Sequence, residues 1–190
     1  EILKKKIKNK KITFLGVTFK ANTDDMREAA SIPMIKYLNN GVYELRTIQE
    51  LPISLKKSWD FFSSPVNLKK ITPEHMNFNI LTDFNKMYEG QIIKYKVSPF
   101  PFFRVGWTTK ITYVEEPFSF IDKQVSGPFN LWEHEHRFEK SGKNTIAYDI
   151  VKFKLPIGLL GRIFGSGLVK YQLNKIFEFR KTQLNKMFKK

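Results

Sequence analysis

Residues 157–188 read IGLLGRIFGSGLVKYQLNKIFEFRKTQLNKMF. From Val169 onward the apolar side chains Leu173, Ile176, Phe177, Leu184, Met187 and Phe188 recur at three- and four-residue spacing, which lays one stripe along an α-helix. The other side carries Lys170, Lys175, Arg180, Lys181 and Lys186. No proline follows Pro156, so a regular helix here runs for about 45 Å at about 1.5 Å per residue. An apolar stripe of that length needs a broad apolar surface to cover it, and the segments before it alternate as antiparallel strands do. An α+β domain meets both demands: a curved antiparallel sheet of about seven strands wrapped round a long terminal helix.

Working back from the helix, six segments alternate: 77–81, 91–99, 103–116, 118–125, 130–139 and 144–155. Glu89-Gly90, Pro99 to Pro101, Glu116-Pro117, Gly127-Pro128 and Ser141-Gly142-Lys143 separate them with turn chemistry, so sequence neighbours pair as hairpins or meanders. Before them, VYELRTIQELP at 42–52 is a first strand. Ser54 then caps a short helix that presents Leu55, Trp59 and Phe62 on one side, and Pro65 opens a second helical turn. The order is one strand, two short helices, six strands and the long helix.

The chain has 190 residues, enough for one well-cored domain with an appendage. At 42% hydrophobic and 27% charged residues the composition is globular, and a 15% aromatic share suggests an aromatic-lined interior. Cysteine is absent, which excludes disulfides, thiolate zinc sites and cysteine nucleophiles. No apolar run reaches about 18 residues and no signal-peptide pattern is present, so a cytoplasmic location is expected. The net charge of +15 sits mostly at the ends: nine Lys/Arg against four Asp/Glu in residues 1–41, and eight against one in 156–190. With a near-neutral body and no reader motif, no nucleic-acid partner is expected. Peripheral contact with an anionic membrane through the basic terminal helix is a further expectation.

At the amino terminus, ITFLGVTF (12–19) reads as a short strand, and AASIPMIKYLNNG (29–41) as a helix closed by Asn40-Gly41. The run LGVTFKANTDDMREAASIPMI within this βα unit resembles the start of the UDP-binding, carboxy-terminal domain of the UDP-glucose and GDP-mannose dehydrogenases. The resemblance implies that Phe19 and Lys20 contact a UDP-sugar and that Arg27 lies near a dinucleotide. No cysteine nucleophile and no dinucleotide-binding domain accompany them, so dehydrogenase activity is not expected, and 1–41 reads as a vestigial fragment rather than an independent domain.

Within the body, 42–190, residues 42–188 resemble the SRPBCC superfamily of helix-grip proteins, which includes START lipid-transfer domains, the birch-pollen-allergen class and polyketide cyclase/dehydratases. LPISLKKSWDFFSSPVNLKKITP, MYEGQIIKYKV, GPFNLWEHEHRF and the LPIGLLGR lead into the last helix carry the likeness. It implies a cavity between sheet and helix that holds a hydrophobic small molecule or lipid. Alternation puts Trp132, His134, His136 and Phe138 on one strand face, opposite Leu131, Glu133, Glu135 and Arg137. Trp132, His134 and His136, with Trp107, Tyr95, Tyr113, Tyr148, Phe153 and Phe177, are the candidate lining. The two histidines are open to three readings: packed core residues, ligand hydrogen-bonders, or catalytic general bases in a cyclase- or dehydratase-like enzyme. No metal or cofactor is expected. A metal held by His134 and His136 needs a third ligand on that face, and the conceivable ones are His75, Glu74 and Asp149.

Overall fold

Among the residues described in the computed structural model (34–38, 40–83, 86–100, 103–155 and 159–188, with backbone only at 34, 100 and 159–166), eight strands form one antiparallel sheet. They are β1 Met34–Tyr37, β2 Val42–Leu51, β3 Asn79–Ile80, β4 Ile92–Phe100, β5 Phe103–Glu115, β6 Ser119–Ser126, β7 Leu131–Ser141 and β8 Asn144–Lys154. The sheet order is β1-β2-β8-β7-β6-β5-β4-β3. Strands β3 to β8 form a meander, with short turns between β4 and β8 as their punctuation requires and a longer connection, 81–91, between β3 and β4. Only β2 is out of sequence, pairing with the last strand along its whole length from Val42↔Lys154 to Leu51↔Thr145. The crossover from β2 to β3 carries α1 (Leu55–Phe62), α2 (Pro65–Leu68) and two 3-10 turns at Lys69–Ile71 and Glu74–Met76. The last element is α3, Leu159–Phe188.

The amino-terminal segment departs from expectation where it can be followed. Met34–Tyr37 is not helical; it pairs antiparallel with β2, from Met34↔Arg46 to Tyr37↔Tyr43. Asn40 and Gly41 have φ of 47° and 79°. Those are backbone conformations a tight hairpin needs, so Asn-Gly here turns a strand rather than ending a helix. The Tyr37 hydroxyl accepts a hydrogen bond from the Gly41 amide at 3.2 Å, and its ring meets Tyr43 edge-on. Pairing on the open edge of β2 satisfies backbone groups that a single helical turn after Pro33 would leave free. The boundary expected at 41/42 thus falls inside a hairpin of the unit Ser31–Lys190. The expected strand 12–19, with Phe19, Lys20 and Arg27, lies outside the described residues.

Ser54 caps α1 as expected, its Oγ accepting from the Lys57 amide at 3.4 Å, a contribution of about 1 kcal/mol. Trp59 is buried edge-on to Phe120 and Phe138, so α1 is anchored on β6 and β7. Gln49 of β2 reaches α3, donating to the Lys181 carbonyl and the Asn185 side chain. The helix covers the concave face with Leu173, Phe177 and Leu184. Its stripe differs from the expected one at two places: Met187 is exposed, and Arg180, expected among the solvated cations, is 6% exposed. Phe177, Arg180 and Leu184 are three and four residues apart, so the arginine occupies the buried line.

Candidate functional site

Between the concave face and α3 lies a cavity of about 240 Å³. One end is aromatic. Tyr95 of β4 and Trp107 of β5 are cross-strand partners, stacked at 5.8 Å, and Trp107 meets Trp132 of β7 edge-on at 5.1 Å. Phe129 closes this group against both tryptophans. The Trp107 indole N–H is buried without a hydrogen-bond partner among the described residues, a condition that costs about 1–3 kcal/mol while no acceptor reaches it. Burial, reinforced by the charge of Asp122, pushes the Tyr95 phenol well above its ordinary range, so it stays neutral.

The other end is ionic, and the sheet register builds it. Asp122 on β6 pairs with His134 on β7, and His136 pairs with Asp149 on β8, all with inward-facing side chains. Asp149 Oδ1 lies 2.8 Å from His134 Nε2, 3.3 Å from His136 Nδ1 and 3.1 Å from Arg180 Nη2. Asp122 Oδ2 lies 3.4 Å from His136 Nε2 and 3.8 Å from His134 Nδ1. The two imidazoles are 3.8 Å apart, and His136 stacks on Phe120 at 4.2 Å. Burial works against the Asp149 charge, yet Arg180 and the two imidazole hydrogen bonds hold its carboxyl well below the usual range. His134 is held down to about 4, by burial first and by His136 next, against the hydrogen bond and charge of Asp149 and the charge of Asp122. It is therefore neutral near pH 7.

Of the candidate lining, Tyr95, Trp107, Trp132, His134, His136 and Phe177 face the cavity. Phe153 is fully buried in the core beside it. Tyr113 and Tyr148 do not belong to it. A register shift between Ile111 and Tyr113 breaks the alternation of β5 and turns Tyr113 outward, where it donates to Glu115 at 2.8 Å. Tyr148 sits on the outer face of β8, under the Arg137 guanidinium and bonded to Glu139. Its even position opposes Phe153, so strand parity alone separates the two. His75 and Glu74 are exposed on their own turn, and Asp149 joins the cluster beside Arg180. Asp122 and Arg180 escaped sequence reasoning. Parity with Phe120 was a signal for the first, and the 177/180/184 spacing for the second. Asp122, His134 and His136 each bring a ligand atom within 4.8 Å of the others, supplying the third donor that the histidine pair lacked.

No helix among the described residues is long and apolar enough to cross a membrane. The UDP binding domain of the UDP-glucose/GDP-mannose dehydrogenase family matches residues 13–64, whose described part forms β1, β2 and α1 of this sheet. No curated protein matches the sequence. Among solved structures, TTHA0849 from Thermus thermophilus is similar at 17% identity, over 75% of this chain and 94% of its own, with a TM-score of 0.59. Major latex-like protein 151 from Panax ginseng is similar at 11% identity, over 80% and 100%, with a TM-score of 0.59. A Thalictrum norcoclaurine synthase point mutant, in complex with a transition-state analogue, is similar at 12% identity, over 80% and 99%, with a TM-score of 0.55. At these identities the likeness is one of fold: the sheet and α3 make the helix-grip fold of major latex-like and birch-pollen-allergen-like proteins.

Proposed function

We propose that the chain binds a small, largely apolar molecule carrying one polar group, held between the curved sheet and α3. The observation that carries this reading is a cavity walled at one end by aromatic rings and at the other by the imidazoles of His134 and His136. The apolar body stacks on Tyr95, Trp107 and Trp132, and the polar group meets the imidazoles of His134 and His136 at the other end of the cavity. The helix-grip fold supports ligand binding in general, and the norcoclaurine synthase is one such protein in complex with a transition-state analogue. Titration with a fluorescent fatty acid or with 1-anilinonaphthalene-8-sulfonate tests it. One saturable, displaceable site is expected, weakened about tenfold or more in Trp132→Ala, the loss of roughly 1.4 kcal/mol or more of ring contact. Probe binding that is absent, or indifferent to Trp132, overturns it.

A cyclase- or dehydratase-like reading has one observation in its favour: both imidazoles open on the same cavity with a carboxylate behind them. His134, held to about 4, is a weak base, so this reading turns on His136. Binding a UDP-sugar would draw on Phe19, Lys20 and Arg27, which lie outside the described residues.

A further inference from the structure

We propose that Asp122, His134 and His136 form a binding site for one divalent transition-metal ion of the zinc or ferrous type. His134 Nε2 and His136 Nδ1 both lie against the same oxygen, Asp149 Oδ1, at 2.8 and 3.3 Å. Arg180 Nη2 also approaches His136 Nδ1, at 3.5 Å, but the charged Asp149 oxygen at 3.1 Å is the nearer and stronger acceptor for the guanidinium. Each imidazole therefore donates the N–H of that nitrogen to Asp149 Oδ1. The opposite nitrogens, His134 Nδ1 and His136 Nε2, are then lone pairs, and both are turned toward Asp122 Oδ2, at 3.8 and 3.4 Å.

Three acceptors converging on one point repel unless a cation lies between them. Asp149 has Arg180 as its counter-charge, whereas Asp122 has no lysine or arginine partner among the described residues. Ligand bonds of about 2.0–2.1 Å at tetrahedral angles place donor atoms about 3.4 Å apart. The two separations from Asp122 are already near that value, and small χ rotations close the rest. The remaining features are those of a metal centre's surroundings: a carboxylate orients both imidazoles from behind and is itself fixed by an arginine. Two nitrogens, one carboxylate oxygen and no thiolate suit zinc or ferrous ions better than calcium or magnesium, and all three residues line the cavity.

The test is calorimetric titration of the chelator-treated full chain with Zn²⁺, alongside Co²⁺ followed by its visible absorption. One ion per chain is expected. Asp122→Ala and His136→Ala should each lower affinity at least about a hundredfold. Asp149→Asn, which leaves the three ligand atoms in place, should lower it by about 10–100-fold. His75→Ala removes the third histidine of the chain and should change nothing. Zn²⁺ should also raise the melting temperature of the parent protein and of His75→Ala but not of Asp122→Asn, a milder variant that keeps the side-chain shape. Absence of binding, or binding that survives Asp122→Ala while failing in His75→Ala, overturns the site. No organic ligand is present in these titrations, so their failure leaves the apolar-ligand proposal standing, and failure of the dye titration leaves this one standing.

Discussion

The aromatic wall and the ionic cluster occupy the same face of the sheet, and on β7 they are two residues apart: Trp132 belongs to one, His134 to the other. Tyr95, Trp107, Phe129 and Trp132 touch through ring edges and faces, contacts that are individually weak and loosely directional. Asp122, His134, His136, Asp149 and Arg180 depend on each other in pairs, so removing one strands the charge or proton of the next. One region is a surface that can accept a range of shapes. In its neighbour each charge and lone pair is tied to a specific partner.

The largest effect expected from this contrast is in Arg180→Met. The substitution preserves bulk on the buried line of α3 but leaves Asp149 without its cation, and should cost about 3–5 kcal/mol in urea unfolding. Trp132→Phe, a loss of volume within the aromatic wall, should cost less than about 1.5 kcal/mol. Equal costs for the two would break the comparison.

Acid should probe the same difference more gently. The His134 imidazole titrates near its ordinary 6.5 in the unfolded chain and at about 4 in the folded one, so the unfolded state binds the proton first. The stability due to keeping it neutral is complete above pH 6.5 and is lost as pH falls from there toward 4, by roughly 3 kcal/mol. Asp149 acts lower: its carboxyl is depressed on folding, so its contribution disappears only as pH falls below the usual carboxylate range. Urea unfolding midpoints measured across this window should slope downward in the parent protein and flatten in His134→Gln. A flat parent profile would show that the buried imidazole is not held neutral.

The smallest effect sharpens the boundary between inner and outer faces. Tyr148→Phe removes a partly exposed hydrogen bond to Glu139 and keeps the ring beneath Arg137. It should change stability by no more than about 0.5 kcal/mol and leave dye binding untouched. A weakened dye site in this variant would place Tyr148 in the binding machinery after all.

Much of this was legible in the residues. Turn chemistry at 89–90, 116–117, 127–128 and 141–143 separates strands whose alternation is clean, and β7 sorts Trp132, His134, His136 and Phe138 inward without help. Two errors were correctable by parity or spacing alone: Tyr148 cannot share a face with Phe153, and Arg180 falls on the same helical line as Phe177 and Leu184. Tyr113 could not be placed that way, because a bulge changes the parity of β5 at a point that no residue of the strand announces. Nor could Asn40-Gly41, since the dipeptide serves a helix end and a hairpin equally well and only the free edge of β2 chooses between them.

What the sequence settled by itself was the succession of strands and helices and the side each strand turns inward, because these depend on periodicities carried by adjacent residues. The meeting of Asp122, two histidines, Asp149 and Arg180 was decided by the tertiary structure. It depends on the register of β6 on β7 and β7 on β8 and on the rotation of α3 above them, and those are fixed by packing between segments up to 58 positions apart, from Asp122 to Arg180. Local pattern specifies which way a side chain points, whereas only the folded sheet specifies what it points at.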